Sequence, residues 1–300
     1  MHVSRIRLRN PSHFALRSNR LFEPGVPCDM FLPSPSEGGL RRNPTKLAKI
    51  SYRRVKQFPE GRNLAKFSGM TLDALILAGG RGTRLAAALP GLPKPLAPVL
   101  GRPFLLHLLD FLAKAGVAKA VLSLGYEAAQ VEAAIASYRP LSIGTVTEPT
   151  PLGTAGAMRW ALSACSGDPL LVLNGDSFTP FPLAQFLNFH VQGGFDVSLV
   201  GVEMADASRF GLLELAFDGR VQAFKEKREG AGGIINAGIY LIRRDVLAAL
   251  PEGRNLSFET DVLEPLAKQG RLGAFVVPGP FIDIGTPASY AGADAFFSNL

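Results

Sequence analysis

The stretch Leu75–Val99, LILAGGRGTRLAAALPGLPKPLAPV, constrains the fold more than any other part of the chain. An apolar run of strand length passes directly into glycines, and the glycines are interleaved with arginines. Such a run reads as a strand covered on both faces, as in parallel sheets. Gly79, Gly80 and Gly82 permit unusual dihedrals and close backbone approach, so that consecutive N–H groups face an anion. Arg84 adds a fixed fork of donors suited to phosphate oxygens, and Lys94, between two prolines, adds a point charge. The loop Ala78–Leu85, Thr83 included, is therefore expected to cradle a polyphosphate. A plain glycine turn with solvated cations is the competing reading. The pattern is neither the dinucleotide fingerprint GxGxxG nor the GxxxxGK[ST] loop.

From Leu72 onward, short apolar runs alternate with amphipathic stretches. LDALILAGG, KAVLSLGY, SIGTVTEP and PLLVLNGDSF read as strands, with helices over PFLLHLLDFLAKAGV, AAQVEAAIASY and GTAGAMRWALSAC between them. This alternation predicts an α/β fold, Rossmann-like and layered, with a mixed, mainly parallel sheet. Ligands in such sheets bind at the carboxyl ends of the strands, where the glycine loop, TEP and NGD all fall. After Phe195 the runs become strand-like with tight turns such as FDGR, which predicts a continuation of the same sheet plus a small antiparallel part.

The charge is divided unevenly. Residues 1–69 hold 14 Lys and Arg against 4 Asp and Glu, whereas residues 70–300 hold 18 against 21. The basic character belongs to the N-terminal extension and does not mark the body as a nucleic-acid binder. The extension has no sustained helix or strand period and no apolar core of a secretory signal. Three readings compete: a disordered basic tail, a transit peptide, or an overextended reading frame with the biological start at Met70. The last is preferred, with a catalytic domain over residues 70–300. No apolar run is long enough to span a membrane. Cys28 and Cys165 fit no metal or redox spacing and imply unpaired thiols in a reducing, cytoplasmic setting.

Two isolated carboxylates lie near strand ends. Asp176 follows the apolar LVLNG, and Asp283 stands between Ile282 and Ile284, a costly position for a charge without a partner. Together with triphosphate oxygens and waters they would suffice for Mg²⁺. Glu148, in TEPTPLGTAGA, could accept N1–H and the N2 amino group of guanine with one carboxylate, while a pyrimidine would suit an amide better. His107 and His190 have no matched catalytic partner, and Trp160 reads as core.

The composite of GGxGTRL and PKP resembles the signature of the sugar-1-phosphate nucleotidyltransferases, from about Met70 to the end. Within that family the chain is most similar to the branch that guanylylates D-glycero-α-D-manno-heptose 1-phosphate. The resemblance implies that a sugar phosphate oxygen attacks the α-phosphorus of a nucleoside triphosphate in line and that pyrophosphate leaves. It assigns Arg84 to the leaving phosphates and the transition state, Lys94 to the α- or incoming phosphate, and Asp176 and Asp283 to the metal. It brings Glu148 and the backbone around Gly153 to the base. Gly211, Glu226, Lys227 and Asn236 fall to the sugar phosphate, although Arg228 stands where the family often has proline. Expected partners are GTP and a heptose 1-phosphate destined for bacterial surface glycans. Mannose 1-phosphate with GTP, glucose 1-phosphate with UTP or dTTP, and a non-catalytic nucleotide-sugar sensor are the alternatives. Nucleic acid and membrane insertion are not expected, and homo-oligomerisation is left open. A chain beginning at Met70 is expected to keep its melting temperature and its turnover, as measured by thermal scanning and pyrophosphate release.

Overall fold

The computed structural model describes residues 72–86, 89–225, 230 and 232–300; the basic extension, Cys28, and the pair Glu226 and Lys227 lie outside the described residues. β1 (Asp73–Leu77) leads into the short α1 (Thr83–Ala86), a ribbon of β2 (Pro98–Val99) and β3 (Arg102–Pro103), and α2 (Phe104–Lys114). Then follow β4 (Lys119–Leu124), α3 (Ala128–Ile135), β5 (Ser142–Thr147), α4 (Gly153–Ala161) and β6 (Leu170–Asn174). β7 (Ser177–Phe178) and α5 (Leu183–Gly193) precede β8 (Val197–Met204), β9 (Leu212–Leu215), β10 (Val221–Lys225) and β11 (Gly233–Ile242). The chain closes through α6 (Arg244–Ala248), α7 (Glu264–Lys268), β12 (Leu272–Val277), β13 (Ile282–Asp283), α8 (Pro287–Tyr290) and α9 (Ala293–Ser298).

Among the described residues, nine strands form one mixed sheet. Its centre is parallel: β1 pairs with β4 and β6, and β4 with β5. β11 continues the sheet antiparallel to β6 and also pairs with β8, which in turn runs parallel to β12. The β9–β10 hairpin turns through Asp218 and Gly219, where φ is +87°. The antiparallel half is thus part of the same sheet, as the tight-turn signals predict.

The layers follow from the strand period, in which successive side chains point to opposite faces. Ala74 and Ile76 pack into one layer with Leu105, Leu108 and Leu112 of α2 and Phe186 of α5. Leu75 joins the other, with Ala155, Met158 and Ala161 of α4 and Leu263 and Leu266 beside them. Burying each such side chain stabilises the fold by about 1.5–3 kcal/mol, which accounts for near-continuous apolar strands sandwiched between helices. α2 stops where the sequence says it should: Gly116 takes φ +85° and Val117 N–H returns to the Leu112 carbonyl at 3.0 Å, a glycine-dependent helix ending.

Three side chains depart from the sequence reading or refine it. Trp160 is not core; it is 38% exposed and its indole N–H donates to the Thr147 carbonyl at 3.2 Å. A helical period alone does not say how wide the buried stripe is. His190 is buried on α5 with Nδ1 2.9 Å from Ser198 Oγ. Burial pushes its imidazole down to about 4 from the ordinary 6.5. Cys165 is buried and unpaired, and burial raises its thiol to about 11. No helix among the described residues is long and apolar enough to cross a membrane.

Because the folded state disfavours the His190 proton, its contribution to stability is complete above about 6.5 and is lost as pH falls toward about 4. Urea midpoints measured across this range should therefore drop more steeply for the native chain than for His190→Gln.

Candidate active site

The central strands end together, and the loops that follow them are packed closely. Parallel pairing extends past β1 through Ala78 N–H to the Ser123 carbonyl at 2.9 Å. The Gly79 carbonyl then accepts Tyr126 N–H at 3.1 Å, and Gly175 N–H donates to the Leu77 carbonyl at 2.9 Å. A Cβ on Gly79 would stand 2.7 Å from Glu148 Oε1 and 3.0 Å from Gly125 N. Only glycine allows β1, β4 and β5 to release their chains this close to one another.

A cleft of about 610 Å³ opens across the carboxyl ends of β1, β4, β5 and β6. Of the residues expected from sequence, Ala78, Gly79, Gly80, Lys94, Glu148, Gly153 and Asp176 line it. Arg81, Ser123, Tyr126, Thr154 and Asn174 line it as well and were not singled out beforehand. Their common signal is position at or just after the carboxyl end of a parallel strand, or at the start of the helix that follows. Arg84 and Thr83 are exposed on α1, and neither lines the cleft; Arg81 is the arginine that does. A larger open hollow, of about 840 Å³, runs along the outer edge strand β5 and shares no residue with the cleft.

One end of the cleft is built around Glu148. Its backbone N–H donates to the Leu124 carbonyl at 2.9 Å, and its Oε2 accepts Leu152 N–H at 2.9 Å. Burial pushes the carboxyl above the ordinary glutamate range, opposed in part by that N–H. α4 begins here at Gly153 with φ +69°, against the loop that carries Asn255 and Leu256. Ala155 N–H donates to the Leu256 carbonyl at 3.0 Å, and Phe258 N–H to Thr154 Oγ1 at 2.7 Å. The start of α4 is therefore held from outside the sheet, which fixes the wall beside Glu148.

The other end is charged. Lys94 Nζ donates to Asp176 Oδ2 at 2.7 Å, and its side chain is only 15% exposed. Gly82, with φ +57°, lies over the stem of this lysine; a Cβ there would be 3.1 Å from Lys94 Cε. The glycine loop and the Pro-Lys-Pro turn are thus packed on each other. β7 and β13 form a two-stranded ribbon in which Asp283 lies opposite Ser177. Ile284 N–H donates to the Asp176 carbonyl at 2.9 Å, so the two carboxylates stand on neighbouring strands. The Cβ position of Gly285 is 2.8 Å from Asp283 Oδ1 and 3.9 Å from Lys94 Nζ. Asp283 also receives Arg209, whose Nη2 donates to both carboxylate oxygens at 3.0 and 2.9 Å.

Among the described residues no cluster of three or more His, Cys, Asp or Glu could enclose a metal. Two adjacent carboxylates, each already matched by a basic side chain, fit a hard divalent cation that completes its shell with waters and substrate phosphates.

The residues expected at the sugar divide. Gly211 is exposed just before β9. Asn236 sits beside the bulge of β11, where its Nδ2 donates to Tyr240 Oη at 2.9 Å and its Oδ1 accepts Gly238 N–H at 3.0 Å.

A family model described as nucleotidyl transferase matches residues 73–299. A mannose-1-phosphate guanylyltransferase of Mycobacterium tuberculosis is 37% identical over 229 residues, which cover 75% of this chain. The matched region spans 64% of that relative, somewhat under two thirds of its length. A D-glycero-alpha-D-manno-heptose 1-phosphate guanylyltransferase of Aneurinibacillus thermoaerophilus is 34% identical over 220 residues, covering 73% of this chain and 95% of the relative. The crystal structure of HddC from Yersinia pseudotuberculosis superposes with a TM-score of 0.68 at 34% identity, over 75% of this chain and 99% of the other. The same protein complexed with GMP-PN gives a TM-score of 0.67 at 33% identity, with coverage of 75% and 99%.

Gly79→Ala should force Glu148 and the β4 loop apart and destabilise the fold by about 1–3 kcal/mol, measured as a shift in urea midpoint at constant slope.

Proposed function

This chain belongs to the nucleotidyl transferase family, and from that premise we propose that it joins GTP to a manno-configured sugar 1-phosphate with release of pyrophosphate. The observation that carries the reading is the polarity of the cleft. A fixed carboxylate, Glu148, stands at one end and a cation–carboxylate cluster at the other, with a glycine loop between them. The first end suits a base that offers two adjacent donors, as guanine does through N1–H and the N2 amino group. The second suits phosphates. Guanylyl transfer is also the activity shared by the named mycobacterial and Aneurinibacillus relatives. D-glycero-α-D-manno-heptose 1-phosphate is the acceptor proposed first, and mannose 1-phosphate is the second reading.

In the proposed reaction an oxygen of the sugar phosphate attacks the α-phosphorus. A new P–O bond forms as the bond to the β-phosphate oxygen breaks, and the electron pair leaves with pyrophosphate. A dianionic acceptor has no proton to give up, so no general base is required. The work of the protein is to hold two anions in line and neutralise the charge that collects on the leaving group. Backbone N–H groups of Gly79, Gly80 and Gly82 cradle the phosphates, with Ala78 and Thr83 flanking them. Arg84, by its motif, and Arg81, by its place in the cleft, offset the charge on the pyrophosphate. Lys94 meets the α- or incoming phosphate. Gly153 shapes the base end, while Gly211, Glu226, Lys227 and Asn236 are assigned to the acceptor; Asn236 would have to exchange the Tyr240 hydroxyl for a sugar hydroxyl. Asp176 and Asp283 are the proposed ligands of Mg²⁺, which when bound lowers the electrostatic barrier between the two anions.

Pyrophosphate release across four nucleoside triphosphates and the heptose, mannose and glucose 1-phosphates tests the whole reading. Turnover should appear with GTP and a manno-configured acceptor. Glu148→Gln should narrow the preference for GTP over UTP by about tenfold, the worth of one hydrogen bond to a charged group. In the native chain, apparent GTP affinity should weaken as pH falls, beginning above the ordinary glutamate range because burial raises the Glu148 carboxyl; the variant should lack that limb. Binding of GTP without turnover on any acceptor would instead support a sensor.

A further inference from the structure

We propose that Arg209 is a positioning residue for the transfer: it holds the Asp283 carboxylate until a divalent cation takes its place, and it then serves the phosphate of the acceptor. The inference rests on the reading of Asp283 as a cation ligand. Arg209 lies on the β8–β9 loop, two positions before Gly211, and no motif marks it. One nitrogen, Nη2, spans both oxygens of Asp283 at 3.0 and 2.9 Å, so it stands in front of the carboxylate where a cation would bind. The two partners differ in freedom. Asp283 is 18% exposed and receives Gly285 N–H on Oδ1 at 3.0 Å, whereas the arginine side chain is 45% exposed. The carboxylate is set in its ribbon and the guanidinium can leave without uncovering the core.

The charges give the exchange a direction. Lys94 and Arg209 together cancel Asp176 and Asp283, so the four side chains carry no net charge while both pairs stand, and a divalent cation is drawn more weakly than to the carboxylates alone. Lys94 is confined beneath Gly82. Arg209 is the more exposed of the two, held besides Asp283 by a cation–π contact at 5.3 Å from the Phe210 ring, which itself stands edge-on to Phe281 at 5.6 Å. Its departure leaves the carboxylates in excess, and it carries a phosphate-binding fork away from the nucleotide end. Cation and acceptor therefore favour each other's binding without touching the same group: one occupies the carboxylate and the other the arginine that vacated it.

Mn²⁺ binding by the full chain, followed by electron paramagnetic resonance with a non-hydrolysable GTP analogue present, tests this against Arg209→Gln, Arg209→Lys and Asp283→Asn. Removing the competing charge in Arg209→Gln should tighten Mn²⁺ binding by about 2- to 5-fold, the range of an exposed ion pair. The same variant should raise KM for the acceptor that is turned over by about tenfold and leave KM for GTP unchanged; Arg209→Lys should recover part of the loss. Equal Mn²⁺ affinity in the native chain and Arg209→Gln, with Asp283→Asn weakened, would overturn the role of Arg209 while keeping Asp283 as a ligand. Unchanged affinity in Asp283→Asn would remove the ligand reading and the inference with it. A parallel rise in both KM values would reduce Arg209 to a structural prop.

Discussion

Everything in the cleft depends on a distance too short for a methyl group. Gly79 leaves β1 so close to Glu148 and Gly125 that any Cβ would stand 2.7 Å from the carboxylate and 3.0 Å from the backbone nitrogen. That approach has two effects. It draws the loops after three parallel strands onto one line, so their backbone groups share a single floor. It also gives Glu148 a half-buried seat, where its second oxygen is held by Leu152 N–H at 2.9 Å. A looser turn at Gly79 would still permit the sheet, but the Glu148 end of the cleft would lose its fixed carboxylate.

The charged end is organised by a different rule. Ionised groups away from water need partners, and the chain provides them in crossed fashion. Lys94 comes from the glycine-loop side to Asp176, and Arg209 comes from the antiparallel half to Asp283. The carboxylates are joined through the ribbon of β7 and β13. Two halves of the molecule that differ in strand direction thereby meet at one electrostatic balance point, on which the proposed coupling of cation and acceptor rests.

Much of this was legible in the residues. The apolar runs and glycine turns announced the parallel centre, and the local glycine–arginine–lysine pattern located the cleft because those residues lie within one loop. Asp283 between two isoleucines required a partner, and it has one. What escaped reading depends on contacts between segments far apart in sequence. Arg209 is an ordinary loop arginine until β13 is folded beside it. Arg81 and Arg84 are indistinguishable as letters and both are exposed, but only the first, just ahead of α1, lines the cleft. Asn236 looked available to a sugar, yet the bulge in β11 curls the strand until Tyr240 reaches its amide. Trp160 showed a helical period, but the period could not reveal that it stands at the edge of the buried stripe of α4, where its indole N–H donates to the Thr147 carbonyl.

The ribbon of β7 and β13 couples assembly order to chemistry. Asp283 pairs with Ser177 across 283 − 177 = 106 positions, so this pairing is among the most non-local in the sheets and carries a correspondingly large loop-closure cost. The wall beside Glu148 waits on a distant segment as well, since the start of α4 is held by Leu256 and Phe258. The two acids thus become neighbours only when the segment that follows β12 docks beside β7.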